Sequence, residues 1–161
     1  MVREIGLGPW LRGGHWVPVA MAVGGAIAYL VVAPRTGDLA AHTFRAELFD
    51  REGLTLWNGQ WFAGHHTPAY SVLFPPLAWL VGPMQVGAAA AVASAALFEP
   101  LVRRHFGERA RWGSIWFGAV TASVLFADCL PFMLGVAIGL GVLLALQHRR
   151  LALALLLAAY C

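Results

Sequence analysis

At 161 residues, with 60% of them hydrophobic and 12% charged, the chain has a mean hydropathy of +0.69, outside the range of soluble domains. Its formal charge of +3 contains no lysine, and arginines set beside apolar runs mark membrane topology rather than a nucleic-acid partner. The two cysteines, Cys129 and Cys161, supply neither a disulfide framework nor a metal-binding spacing.

Residues 1–14 form a short basic leader carrying Arg3 and Arg12. The apolar run 16–33 that follows is long enough to cross a hydrocarbon core of about 30 Å at about 1.5 Å per residue. It is read as a retained span, because Pro34 directly after Val31-Val32-Ala33 is a poor context for signal-peptide cleavage. A polar loop, 34–83, holds Asp38, Glu47, Asp50 and Glu52. Within it the apolar segment 70–81, with Pro75-Pro76 inside and Gly82-Pro83 at its end, is too short to span and is expected to be re-entrant or interfacial. Further spans are expected at 84–102, 112–127 and 130–146. From 151 a cut-off span begins, so the chain is read as the N-terminal part of a transmembrane domain.

Arginine placement orients these segments. If 70–81 does not cross, Arg3, Arg12, Arg103, Arg104, Arg109, Arg111, Arg149 and Arg150 share one side, and only Arg35, Arg45 and Arg51 lie opposite. The positive-inside rule selects that arrangement. The expected architecture is therefore all-α, a polytopic transmembrane helical bundle in a cell (plasma) membrane. Its N-terminus is cytoplasmic, and amphipathic juxtamembrane helices lie in the first outward loop. Loop 34–83 and Asp128 then face outward together.

The outward loop carries the candidate chemistry. A helix opened by Asp38 as N-cap and stopped at Gly53 would set Asp38, His42, Arg45 and Phe49 along one stripe. A carboxylate, an imidazole and a guanidinium so aligned could take a hydroxyl proton and hold a phosphate, or simply form a solvated face. Trp57 and Trp61, at i and i+4, suit either an interfacial aromatic belt or a wall for sugar stacking. His65 and His66 diverge and are poor joint ligands for one metal; either one, like nearby Tyr70, could contact substrate. Glu99, beside Pro100 near the inner end of its span, is either a costly intramembrane carboxylate or one that simply snorkels to the cytoplasmic surface.

The matching residues Gly37-Asp38, His42, Ala46, Leu48, Gly53, Trp57, Trp61, Gly64 and Phe74-Pro75-Pro76-Leu77, in this order of spans, resemble the N-terminal part of GT-C-type membrane glycosyltransferases. The texture is similar to actinobacterial mannosyl- and arabinosyl-type transferases. The resemblance implies a polyprenyl-phosphate-linked sugar as donor and the bilayer as partner. It also implies Asp38 as catalytic base or as a ligand of a divalent metal, and Asp128 as a second acidic site in the next outward loop. The arginine usual shortly before that second residue is absent here. Members of the family carry further spans and an outer domain. From other classes, a transporter-like protein or a non-catalytic membrane subunit fits the same composition, with Ser94, Thr121 and Ser123 as the polar groups a transport path would use.

Overall fold

The computed structural model describes residues 14–55, 57–60, 67–68 and 71–159, and it is overwhelmingly helical. In chain order the helices are α1 (Val17–Val32), α2 (Gly37–Glu52), α3 (Phe74–Val81), α4 (Pro83–Phe106), α5 (Arg111–Phe126), α6 (Leu130–Gln147) and α7 (Leu151–Ala158). A 3-10 turn, Gly107–Ala110, joins α4 to α5. Between α2 and α3, β1 (Trp57–Asn58) pairs antiparallel with β2 (Thr67–Pro68). Prolines open four of the helices: Pro18 in α1, Pro75 in α3, Pro83 in α4 and Pro131 in α6 all occupy the first or second position, where a missing N–H costs nothing.

Two stretches, Pro83–Phe126 and Leu130–Gln147, are long and apolar enough to cross a membrane, and α1 with α2, bent by 87°, makes a third if that pair is one broken span. The first stretch doubles back: the rings of Phe98 and Phe117 stack 4.0 Å apart across the turn. Helix α5 runs parallel to α1, since Gly118 meets Pro18, Gly25 meets Ala122, and Tyr29 packs edge-on to Phe126 at 5.5 Å. At Gly118 a Cβ would collide with the Pro18 carbonyl oxygen, so only glycine lets these backbones approach so closely. Helix α6 runs alongside α4 in the same direction, Leu130 lying against Gly87, Met133 against Ser94 and Gln147 against Leu101.

These directions define two ends. At one end lie α2, α3, the start of α4 and the α5–α6 turn. At the other lie His15, the 3-10 turn and the α6–α7 turn, tied together by Arg104 on His148 at 3.4 Å and Gln147 on the Leu101 carbonyl at 3.1 Å. Arg3 and Arg12 are outside the described residues. Helix α3 has eight residues, only about 12 Å of helix. It packs on α2 through Phe49 and Trp79, 5.8 Å between ring centroids. The break between α3 and α4 falls at Gly82, whose φ of +97° favours glycine. The core links α1 to α6 through small residues, among them Ala26, Ala78, Ala88, Ala91 and Ala137, around Tyr29, Phe74, Leu125 and Leu130.

Candidate functional site

Asp128 is the centre of the α2 end. Its N–H bonds the Leu125 carbonyl at 2.9 Å and the next N–H, of Cys129, bonds that of Val124 at 3.2 Å, the double closure of a Schellman ending. Asp128 therefore occupies the left-handed position of that motif, with φ +59°, where glycine is the usual choice. Aspartate tolerates this conformation better than most residues. Its side chain is buried, at 2% exposure. Tyr29 on α1 donates its hydroxyl to Oδ1 at 3.4 Å, and the hydroxyl of Thr36 donates to Oδ2. His42 on α2 donates from Nε2 to the Asp128 backbone carbonyl at 2.9 Å. One residue thus collects the end of α1, the linker after it, and α2.

The bond to a carbonyl fixes the His42 tautomer, because a carbonyl only accepts: the proton sits on Nε2. In the neutral ring Nδ1 is then an acceptor, and it has no hydrogen-bond partner among the described residues; a buried polar atom left in this state costs about 1–3 kcal/mol. The imidazole also lies 5.3 Å from the Phe74 ring, so α2 is seated on α3 and on the α5–α6 turn at once.

The expected stripe on α2 is divided. His42 and Ala46 turn into the bundle and are buried. Arg45 and Phe49 border a shallow recess shared with Thr55, Asn58 and Ser71. Asp38 stays exposed. Nor is Asp38 the N-cap: α2 starts at Gly37, Thr36 holds the cap position, and no side chain closes the helix there. The Thr36 hydroxyl is drawn to Asp128 instead, and Asp38 sits in the first turn, where a carboxylate is favoured by the helix dipole. Trp57 is exposed and lies in the strand β1, not in the helix that its expected spacing assumed. Trp61, His65, His66 and Tyr70 lie outside the described residues. Among the described residues, no three His, Cys, Asp or Glu side chains converge where they could hold a metal ion.

At the opposite end Glu99 does not snorkel. It is buried at 4% exposure, and its Oε1 accepts from His15 Nδ1 and from Arg103 Nε, each at 2.9 Å. Arg103 also donates through Nη1 to His15 Nε2 at 2.7 Å, so each ring nitrogen of His15 has a different role. Desolvating the carboxylate is tolerable here because a cation and an imidazole N–H meet the same oxygen.

Sequence reasoning missed Tyr29, Thr36 and His15. The one signal for Tyr29 was a hydroxyl-bearing ring near the end of an apolar run; nothing local marks the other two. Comparison with known protein families, characterised proteins and solved structures gives no match.

Proposed function

We propose that this chain is a multi-pass membrane protein, its N-terminus cytoplasmic, whose α2 end belongs to a GT-C-type sugar-transfer site on the outer face. The observation that carries this reading is the seating of His42 on the Asp128 carbonyl. It draws the first-loop helix bearing Asp38 and the acidic residue of the next loop to one end of the bundle, the arrangement that the resemblance implies. The donor is a sugar linked to polyprenyl phosphate. The acceptor hydroxyl attacks the anomeric carbon, the bond from that carbon to the phosphate oxygen breaks, and polyprenyl phosphate leaves. Asp38, exposed in the first turn of α2, takes the hydroxyl proton or orients it. Arg45, at the recess one face away, supplies charge-assisted hydrogen bonds to the leaving phosphate.

Transport is less well supported. Ser94 and Thr121 each donate to a carbonyl of their own helix, at 2.8 and 2.7 Å, which leaves fewer polar groups to line a path. A non-catalytic membrane subunit gains from another observation: both carboxylate oxygens of Asp128 are occupied by Tyr29 and Thr36, as in a purely structural tie. The test is release of polyprenyl phosphate from a labelled lipid-linked sugar by membranes expressing the gene's full reading frame. Release above that of control membranes supports transfer. None, with any of a panel of pentose and hexose donors, leaves the subunit reading.

A further inference from the structure

The arginine end carries a cavity of about 310 Å³ between α4, α6 and α7, at the lower limit of small-molecule sites, which span about 300–1,000 Å³. Its walls are apolar: Leu97 from α4, Leu144 from α6, and Leu153 and Leu157 from α7. Its rim carries His148 and the guanidinium of Arg150, with Arg104 donating to His148 Nδ1 at 3.4 Å. The backbone holds that rim in place. Arg149 closes α6 in the left-handed conformation, φ +58°, and the N–H groups of Arg149 and Arg150 return to Leu146 and Ala145 at 2.9 and 2.8 Å. This is the double closure seen at Asp128, and it sets His148 and Arg150 beside the mouth. Ala145 and Ala154 are buried and Gly141 lies against the Leu157 side chain, so α6 and α7 stand close and the larger leucines flank an open slot.

An apolar slot ending in fixed cations matches one chemistry, a hydrocarbon chain headed by a phosphate. We propose that this cavity binds one acyl chain of an anionic glycerophospholipid of the surrounding bilayer, its headgroup phosphate held by Arg150 and Arg104. The site rests on the membrane location of the chain and not on the sugar chemistry of the other end. The bilayer supplies such a chain at high local concentration, and anionic lipid at the cytoplasmic leaflet favours arginine-rich ends.

The test uses the full chain purified in detergent and titrated with phosphatidylglycerol or phosphatidylcholine, with bound lipid read by native mass spectrometry. Phosphatidylglycerol should be retained in preference to phosphatidylcholine. Arg104→Gln and Arg150→Gln should each weaken phosphatidylglycerol retention about five-fold. Leu153→Trp, a filling change at a partly exposed position, should abolish retention while leaving the charges and the thermal midpoint in place. Equal retention of the two lipids overturns the proposal, as does an unaffected Leu153→Trp variant or full displacement by inorganic phosphate. Release of the chain from membranes by alkaline carbonate would remove the membrane location and this site together. Retention in membranes without lipid preference removes the site alone.

Discussion

His42 donates its Nε2 proton to the backbone carbonyl of Asp128 at 2.9 Å, although the two residues are 86 positions apart. The polar helix α2 is docked by this bond and by the Phe74 ring beneath it. Replacing His42 by Phe keeps the bulk and removes the bond. The Asp128 carbonyl then loses its imidazole donor, for a loss of about 1–2 kcal/mol. Amide hydrogen exchange across 37–52 should rise relative to α4. Unchanged exchange would mean that α2 is held by packing alone.

Asp128 stands in a left-handed conformation, so its replacements should separate backbone from side-chain effects. Asp128→Ala loses the bonds to Tyr29 and Thr36 and puts a Cβ without compensation at φ +59°. Asp128→Gly loses the same bonds but relieves the backbone, by about 1–2 kcal/mol. The glycine variant should therefore unfold at a higher temperature than the alanine variant. The reverse order would show that the left-handed turn is not kept in solution.

The Glu99, Arg103 and His15 cluster should behave as a desolvated ion pair. Arg103→Met leaves a buried carboxylate short of its cation and should cost about 3–5 kcal/mol. The double change Glu99→Leu with Arg103→Met removes both charges and should recover most of that loss. Chemical denaturation of the two variants and of Glu99→Leu alone closes the cycle. Additive losses would mean that the pair is not coupled.

The helices were largely legible because their signals are local. Apolar runs, an opening proline at Pro18 and Pro131 and a closing glycine at Gly53 mark most bounds within a residue or two, while α4 runs on to Phe106, four residues past the expected end at 102, and α3 starts at Phe74, four past the expected 70. The site was not, because its bonds join distant positions: Thr36 and Tyr29 reach Asp128 across 92 and 99 residues, and His15 reaches Glu99 across 84. Periodicity orders residues along one helix face and says nothing about which other helix that face meets. For the same reason the cap at Thr36 was misassigned to Asp38, since the hydroxyl that would have capped α2 is claimed by a residue from the α5–α6 turn. The helical spacing read for Trp57 failed for a related reason, its pairing with Pro68 being set by the return of the loop.

The exposed thiol of Cys129 and the exposed side chain of Glu108 lie at opposite ends of the bundle. In a Cys161→Ser background, a membrane-impermeant maleimide added to intact cells should label Cys129. A Glu108→Cys variant that also carries Cys129→Ser should label only after the cells are opened. Reversed labelling would invert the orientation and put the α2 end in the cytoplasm.

The most direct test of the central claim is turnover by Asp38→Asn in membranes with matched expression. Asp38 is not the cap of α2, so asparagine should leave folding and insertion intact, with at most about 1 kcal/mol lost to the helix dipole. Removing the carboxylate that takes the proton should lower sugar transfer from the polyprenyl-phosphate donor by about 10²–10⁴-fold. Arg45→Lys should be milder, because it keeps the charge and loses only the forked geometry. A fall of that size with normal membrane insertion is the predicted result. Near-normal transfer by the asparagine variant would contradict it and leave Asp38 a solvated carboxylate on the first turn of α2.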